Sequence, residues 1–423
     1  MGFSFSTALS GLNASSETIS VSGNNIANAN TVGFKSASVS FADVFTNSSG
    51  IRLNGAGTAL QLGKGVRISD TPVNFSQGTL NLSDSATSAA IEGNGFFVVS
   101  DQQGALYYTR AGDFSLDKSG NVVSPSGHKV QGYTAINGTI PPGASLTALT
   151  VPIGETMAPV ITSEVTFRMN LNSKDPAATE FHSLVQVYDS KGASHKMDLA
   201  FTKQADGSYL MSASVDGNAA TTSVNGGAAS AAPVAVTFDS DGQLTAPTSL
   251  AVIPDPAQLD GATLPSVAIN LYQPAPPVGT GAPNITNYAS SSSVASTSQN
   301  GFSSGELIGL AQSPDQNGAL YAVFSNGQRR LLGQMALATF NSQAGLRRLG
   351  NNLYGETISS GQPSIGTPGS GGRGTIAGAS LEASNVDIAT EFTNLIVAQR
   401  GFQANSRVIT TISQTLQDLL QIS

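Results

Sequence analysis

Apolar side chains recur every seven residues along the last forty residues of the chain. The regular positions are Ile388, Leu395, Phe402, Ile409 and Leu416, with Ile412 and Leu419 three residues after the last two. This heptad pattern, here called the C-terminal seam, is typical of a long helix that packs against other helices. Ser384 lies three residues before Asp387, which predicts an N-cap at Ser384 with an acidic partner and a helix over 384–423.

The C-terminal seam needs a partner. Its seven large apolar residues, at roughly 1.5–3 kcal/mol each when buried, would contribute on the order of 10–20 kcal/mol. An isolated helix gains none of this and is marginal in water. The partner lies in this chain, in other copies of it, or in both.

The first thirty residues carry a second heptad pattern, with small residues three positions after each apolar one. Its apolar positions are Phe5, Leu12, Ile19 and Ile26. Glu17 is the only charged residue before Phe34, whereas a lone surface helix usually carries many charges. We therefore predict a helix that ends with Gly33 as its C′ residue and meets other helices on several faces. An ordinary amphipathic helix folded onto a globular body is the alternative.

Between the two helical patterns, the chain alternates apolar and polar residues in short runs. Four such runs between 91 and 133 are separated by turns that contain Gly, which indicates a meander of hairpins. A fresh set of alternating runs occupies about 152–288, and Ala/Ser/Gly-rich and Pro-rich stretches lie between its runs. We interpret it as a separate β-domain, barrel-like or sandwich-like, inserted into the first.

The predicted fold class is multidomain, with discontinuous mainly-β domains and a helical coiled-coil assembly domain. The parts are 1–33 with 384–423 as the terminal helices, 34–70 with 366–383 as a connector, 71–149 with 289–365 as the middle β-domain, and 150–288 as the inserted outer β-domain. Gly366–Gly374 is expected to be a flexible linker. Because both helices leave the same body, they should run antiparallel, side by side.

Composition narrows the class of function. A chain of 423 residues can form two or three domains, and a net charge of −8 with a pI near 4.8 argues against nucleic acid or an anionic membrane as partner. The absence of Cys fits a protein that works outside the reducing cytoplasm. The sequence contains no uninterrupted run of 18 apolar residues, so we predict no membrane span. The N-terminus lacks the basic start of a cleavable secretory signal, so export would need another route.

No residue pattern indicates an active site, a cofactor site or a metal site. His128, His182 and His195 lack metal-ligand spacing. The run Asp239–Gly242 lacks the remaining acidic ligands of a calcium loop, and a hairpin turn is the simpler interpretation. The Gly-rich run 366–374 lacks the Gly-Lys-Ser/Thr end of a phosphate loop. We therefore predict no catalysis, no cofactor and no metal.

Long segments at both ends and in the first β-region resemble the flagellar axial proteins, the family of rod and hook subunits. The segments are 10–44, 93–99 with 107–123, 325–340 and 381–409. The motif residues are Asn24, Asn25, Ile26, Ala27, Asn28, Gly33, Phe34 and Lys35 near one end, and Ser384, Asn385, Val386, Asp387, Gln399 and Arg400 near the other.

The resemblance implies an extracellular homopolymer: a tube exported unfolded through the flagellar type III apparatus. It also implies the family's partners, namely the distal rod protein, the hook–filament junction protein and the hook cap. The terminal segments of the family are disordered in the free subunit and form an inner coiled-coil tube on assembly. Rod members lack a large insertion, so the domain-sized insertion favours the flexible hook over the rigid distal rod. A secreted enzyme or adhesin, active in the inserted domain, is the alternative from another class.

Overall fold

The computed structural model describes residues 2–47, 61–259, 261–273, 282–313 and 315–422. Helix α1 spans Gly2–Ala27 and helix α2 spans Ile388–Ile422. The rest of the described chain is mostly strand and turn. The structure therefore confirms a mainly-β body with a helix at each end.

The strands between α1 and residue 148 include the alternating runs of the first β-region. They are β1 (Ser40–Asn47), β2 (Gln61–Asp70), β3 (Leu80–Leu82), β4 (Ala89–Glu92), β5 (Phe96–Ser100), β6 (Leu106–Thr109), β7 (Ser115–Leu116), β8 (Val122–Val123), β9 (Lys129–Thr134) and β10 (Thr147–Ala148).

The strands from residue 156 to residue 299 include the second set of alternating runs and several strands that those runs did not predict. They are β11 (Thr156–Met157), β12 (Glu164–Asn170), β13 (Glu180–Tyr188), β14 (Ser194–Lys203), β15 (Tyr209–Val215), β16 (Asn218–Ala219), β17 (Thr221–Val224), β18 (Val234–Phe238), β19 (Leu244–Ala246), β20 (Leu250–Ile253), β21 (Val267–Asn270), β22 (Ile285–Thr286) and β23 (Ser293–Gln299), with a short 3₁₀ helix at Pro256–Gln258.

The strands that lead to α2 complete the described fold. They are β24 (Gly305–Gln312), β25 (Ala319–Phe324), β26 (Arg329–Met335), β27 (Leu337–Thr339), β28 (Arg347–Gly350), β29 (Leu353–Gly355), β30 (Ser364–Gly366), β31 (Thr375–Gly378) and β32 (Ser380–Glu382), with a 3₁₀ helix at Gln343–Gly345.

The chain divides into two compact units. The first, here called the body unit, comprises Met1–Ile153, Gly309–Ala322 and Arg329–Ser423. The second, here called the inserted unit, comprises Gly154–Ile308 and Val323–Gln328. The four-part division made from the sequence stays a prediction.

The body unit is built on an antiparallel sheet with the order β26-β9-β5-β6-β29-β28. Aromatic side chains fill the core beside it, where Phe96 packs edge-on against Phe340 and Tyr354. Strands from the two ends of the sequence also pair, β3 with β32 and β4 with β31. The Gly33 amide, shortly after α1, also donates to the carbonyl of Glu382, shortly before α2, at 2.8 Å, so both terminal helices leave from the same part of the body unit.

Gly366–Gly374 forms a hydrogen-bonded turn between β30 and β31, so the predicted flexible linker is wrong. Arg373 Nε donates to the Thr367 carbonyl at 3.1 Å, and the Gly369 amide donates to the Gly374 carbonyl at 2.8 Å. The Gly374 amide donates to the Asn94 carbonyl at 2.6 Å. These bonds order a stretch that its glycine content alone would predict to be flexible.

Most described strands of the inserted unit form two sheets around one core, while β11 pairs with β24. One has the order β17-β20-β21-β12-β22, with β23 also on β12, and the other has the order β13-β14-β15-β18-β19, with β16 on β15. Buried residues alternate with exposed ones along β13 and with half-buried ones along β14, which is the expected pattern when one sheet face is covered. Phe167, Phe201 and Met211 are among the large side chains of the shared core.

Among the described residues, no helix is long and apolar enough to cross a membrane. The same residues contain no cluster of three or more His, Cys, Asp or Glu side chains that could hold a metal ion.

Candidate assembly site

Helices α1 and α2 pack against each other in antiparallel directions. Gly11 of α1 lies beside Asn405 of α2, and Ser15 lies beside Gly401. The spacing is close: a Cβ atom on Gly401 would lie 3.1 Å from Ser15 Oγ, and one on Gly11 would lie 2.8 Å from Asn405 Nδ2. Small residues on both helices therefore set the distance between them.

The predicted seam residues are only partly covered within one chain. Leu12, Ile19, Ile26, Leu395, Phe402, Ile409 and Ile412 are half-buried. Phe5 and Ile388 are exposed, and the side chains of Leu416 and Leu419 lie outside those that the structure describes. Their role as a coiled-coil seam between chains stays a prediction.

Other apolar side chains of α2 are more exposed than the seam, and the heptad pattern missed them. Phe392 and Ile396 are each 50% exposed, Val397 is 64% exposed and Val408 is 46% exposed. We call these four residues, which are spread over the solvent-facing side of α2, the outer stripe. The sequence did carry a signal for two of its members, since Phe392 and Ile396 follow the seam residue Ile388 at a spacing of four.

A groove of about 480 Å³ lies between α1, α2 and the segment 37–41. Small and apolar side chains line most of it, among them Val21, Phe41, Val397 and Ala398, and Glu391 and Asn394 supply its polar edge.

Asn25 ties the end of α1 to the segment that follows it and to the start of α2. The side-chain Nδ2 of Asn25 donates to the Ala37 carbonyl at 2.7 Å and to Glu391 Oε1 at 3.0 Å, and its side-chain Oδ1 accepts a bond from the Ala37 backbone amide at 3.0 Å. The residue is 1% exposed. Because the chain turns back to meet Asn25, α1 ends at Ala27, and the predicted C′ role of Gly33 is wrong.

Asn385 makes the corresponding connection before α2. Its Oδ1 accepts the Ser36 amide at 2.8 Å, and its Nδ2 donates to the Asn74 carbonyl at 2.8 Å. These bonds keep 384–387 outside the helix, so the N-cap is Asp387 rather than the predicted Ser384. Asp387 Oδ1 accepts the amides of residues 389 and 390 at 2.9 and 3.2 Å, which satisfies free donors of the first turn.

A cluster of three buried charged residues joins both helix entries to the β-sheet, and we call it the charge cluster. Lys35 Nζ lies 2.5 Å from Glu382 Oε1, and both side chains are fully buried. Lys35 also donates to the Ser76 carbonyl at 2.7 Å, and the amide of Gly78 donates to Glu382 Oε1 at 2.9 Å. Burial lowers the pKa of Lys35 despite the neighbouring Glu382 carboxylate.

Arg110 is the third member of the charge cluster and comes from the end of β6. Its Nη1 lies 3.6 Å from Glu382 Oε2, while its Nη2 donates to the Gly93 carbonyl at 2.8 Å. The guanidinium also lies over the ring of Phe96, 5.4 Å from its centroid. Burial lowers the pKa of Arg110. Glu382 is therefore the single anion between two buried cations.

Gly33 holds the segment that follows α1 against the sheet, at the place where this segment, the start of α2 and the sheet meet, here called the junction. Its amide donates to the Glu382 carbonyl at 2.8 Å. Its φ is +66°, and a Cβ atom would lie 2.5 Å from the Ala111 backbone nitrogen. A side chain is excluded both by conformation and by space.

The structure thus brings Asn25, Gly33, Lys35 and Asn385 of the predicted motif to one junction. Phe34 belongs to it through its carbonyl, which accepts the Asn385 amide at 3.4 Å. The other motif residues take no part in the hydrogen bonds of the junction described above. Ala27 is the last residue of α1, and Asp387 is the N-cap of α2. The remaining ones are exposed (Asn24, Gln399 and Arg400) or half-buried (Ile26, Asn28, Ser384 and Val386). The sequence analysis did not identify Glu382 and Arg110 as site residues. A signal was present, since each is a charged residue in an otherwise uncharged run of sequence.

Family models match the chain from one helix to the other. They are those of the flagella basal body rod protein at 5–35, the flagellar hook protein FlgE/F/G D1 domain at 90–156, the flagellar basal body protein FlaE D2 domain at 156–302 and the flagellar basal body rod FlgEFG protein C-terminal region at 377–422. The helices and the body unit together define a flagellar axial protein.

Full-length relatives give the particular branch. The flagellar hook protein FlgE of Salmonella typhimurium is 34% identical over 433 residues, which cover 99% of this chain and 100% of the relative. FlgE of Escherichia coli is 34% identical over 438 residues and covers 99% of both chains, and FlgE of Borreliella burgdorferi is 33% identical over 448 residues and covers 98% of both. The chain belongs to the flagellar hook protein family.

The function is that of a hook subunit, and the rod alternative is not favoured because the relatives that align over the whole length are hook proteins. The family is one of structural flagellar hook proteins. A crystal structure of the hook protein FlgE2 from Helicobacter pylori has the same fold, with a TM-score of 0.50 at 16% identity, over 72% of this chain and all of that one.

Proposed function

We propose that this chain polymerises with copies of itself into the hook tube, and that α1 and α2 form the inner coiled-coil layer of that tube. The observation that carries the proposal is the outer stripe of α2. Phe392, Ile396, Val397 and Val408 are about half exposed or more, on a helix that already packs against α1. A helix of a solitary globular protein normally places such residues against its own core.

The energy available from covering the outer stripe is enough to drive an interface. Fully burying one such side chain contributes roughly 1.5–3 kcal/mol. The four residues are already half covered, so their remaining area corresponds to roughly half of that, on the order of 3–6 kcal/mol for each subunit. In a tube, every subunit would make this contact with a neighbour, and the gains would add along the polymer.

The wider setting follows from family membership as part of the same proposal. The tube would join the distal rod protein at one end and the hook–filament junction protein at the other, under a hook cap during growth. Subunits would reach the extracellular growing end through the flagellar type III export apparatus. The tube would act as a flexible universal joint that transmits torque from rod to filament.

Ile396→Asp tests the proposal, with Ile396→Leu as the matched control at the same position. Ile396 is 50% exposed, so neither change buries a carboxylate in the free subunit. On assembly, Ile396→Asp would place a charge in an apolar contact, which costs several kcal/mol, whereas leucine keeps that contact apolar. Sedimentation and negative-stain electron microscopy should show tubes for wild type and for Ile396→Leu, and none for Ile396→Asp. Normal tubes from Ile396→Asp would contradict the proposed role of the outer stripe.

A further inference from the structure

His195 lies between two aspartates of the inserted unit, at the end of the sheet that contains β13, β14 and β15. Its Nδ1 is 2.7 Å from Asp216 Oδ2, and its Nε2 is 3.2 Å from Asp189 Oδ2. The imidazole is 12% exposed and the Asp189 side chain is 3% exposed, whereas the Asp216 side chain is 43% exposed. Hook subunit function does not explain this arrangement.

Both carboxylates have their other oxygen occupied by backbone amides. Asp189 Oδ1 accepts the amides of Lys191 and Ala193 at 2.8 and 2.9 Å, which closes the turn between β13 and β14. Asp216 Oδ1 accepts the Lys196 amide at 2.8 Å. Amide donors favour the ionised form of a carboxylate. Both aspartates therefore present His195 with an oxygen that accepts a proton and does not donate one.

Counting donors fixes the charge of the imidazole. A neutral imidazole has one N–H donor and one lone pair, so it would set a lone pair against one of the two carboxylate oxygens. An imidazolium donates from both nitrogens. We propose that His195 is a pH-sensitive bridge, which in its doubly protonated form ties the 189–193 turn to the 215–218 turn and, once it has lost a proton, donates to only one of them at a time, so that both turns are held less firmly.

The surrounding charges agree with this assignment. The two aspartates raise the pKa of His195 above its ordinary value of 6.5, although burial acts in the opposite direction. Lys196 lowers the pKa of Asp216, and Lys191 contributes its backbone amide to Asp189 in the 189–193 turn. Hydrogen bonds from His195 and from backbone amides lower the pKa of Asp189 although burial opposes them.

The consequence for stability has a defined sign. Because the folded-state pKa of His195 is raised, its contribution is complete below about pH 6.5 and is lost as the pH rises through the folded value. Because the pKa values of both aspartates are lowered, their contribution is lost as the pH falls through those values. The bridge is therefore strongest in mildly acidic solution.

Loss of the bridge would also loosen a further segment of the inserted unit, the one that contains Thr263. The Ser190 amide donates to the Thr263 carbonyl at 2.9 Å, and Ser190 Oγ accepts the Thr263 amide at 2.9 Å. The 189–193 turn thus also holds the chain that leads to β21. Protonation of one histidine would change the order of two turns and of this segment together.

The test uses the full chain with ¹⁵N-labelled histidine and long-range ¹H–¹⁵N spectra across pH 4–10. The sequence has three histidines, and His182→Gln and His128→Gln assign two of the signals, which leaves His195 by elimination. We expect both ring nitrogens of His195 to stay protonated above pH 6.5, after an ordinary histidine has lost its charge. A midpoint at or below 6.5 would overturn the proposal, even if His195 variants fail to fold.

Hydrogen exchange of the same chain tests the structural consequence. Protection of peptides that cover 189–193 and 215–219 should fall severalfold, after correction for intrinsic rates, as the pH rises through the His195 midpoint. His195→Gln should show the lower protection at both pH values, and His182→Gln, whose ring is 49% exposed, should behave as wild type. Protection that is independent of pH would overturn the bridge.

Discussion

Glu382→Gln is expected to destabilise the body unit strongly, because it removes the single anion of the charge cluster. The carboxylate is fully buried and lies beside two buried cations, Lys35 at 2.5 Å and Arg110 at 3.6 Å. Removing one partner of a buried ion pair costs about 3–5 kcal/mol. The glutamine keeps the shape and can still accept the Gly78 amide, so the loss reports on charge.

Lys35→Met should cost less than Glu382→Gln, and this asymmetry is the sharper part of the prediction. After Glu382→Gln, two cations remain buried without an anion. After Lys35→Met, the Glu382 carboxylate keeps Arg110 as its counterion and the Gly78 amide as a donor. The matched control is Glu356→Gln, an exposed carboxylate of the body unit, which should change stability by no more than about 0.5 kcal/mol.

Hydrogen-exchange mass spectrometry of the full chain in increasing guanidinium measures the two units separately. Peptides of β5 report on the body unit, and peptides of β14 serve as an internal reference from the inserted unit. A loss of 3–5 kcal/mol corresponds to a roughly 10²–10⁴-fold faster exchange from global opening of the body unit. If Glu382→Gln and Glu356→Gln exchange alike, the charge cluster does not stabilise the junction and the reasoning fails.

Two further changes test the junction with the same assay. Asn25→Ala leaves the Ala37 amide and carbonyl without their partner, which should lower the free energy of unfolding by about 1–3 kcal/mol for each unpaired group. Asn24→Ala, at an exposed position, should change it very little. Equal losses for the two variants would contradict the assigned bonds. Gly33→Ala adds a clash with backbone to a positive φ and should cost more than about 2 kcal/mol. Gly104→Ala, with φ +88° and open space around the Cβ, isolates the conformational cost of about 1 kcal/mol, and a Gly33→Ala loss no larger than that would refute the close contact.

The helices and the alternating strands were predictable because both depend on periodic burial. The seven-residue pattern indicated α2, and the two-residue pattern indicated strands such as β13 and β14, where one sheet face is covered. The positions of the helix ends were not. Asn25 and Asn385 bond to residues distant in the sequence, and these bonds rather than local capping decide where α1 ends and α2 begins.

The candidate site was predictable as a set of motif residues but not as a junction. Lys35 and Glu382 are 347 positions apart in the sequence, and no local pattern indicates that the fold brings them together. The same holds for Arg373, whose bonds order a Gly-rich run that composition alone describes as flexible. Long-range polar contacts were the part that the periodicity of the sequence could not show.

Electron cryomicroscopy of tubes grown from the purified chain tests the central claim most directly. A helical reconstruction should place α1 and α2 as the innermost layer around the channel, with Phe392 and Ile396 covered by a neighbouring subunit. Tubes in which the helices lie elsewhere, or in which the outer stripe faces solvent, would contradict the proposed assembly.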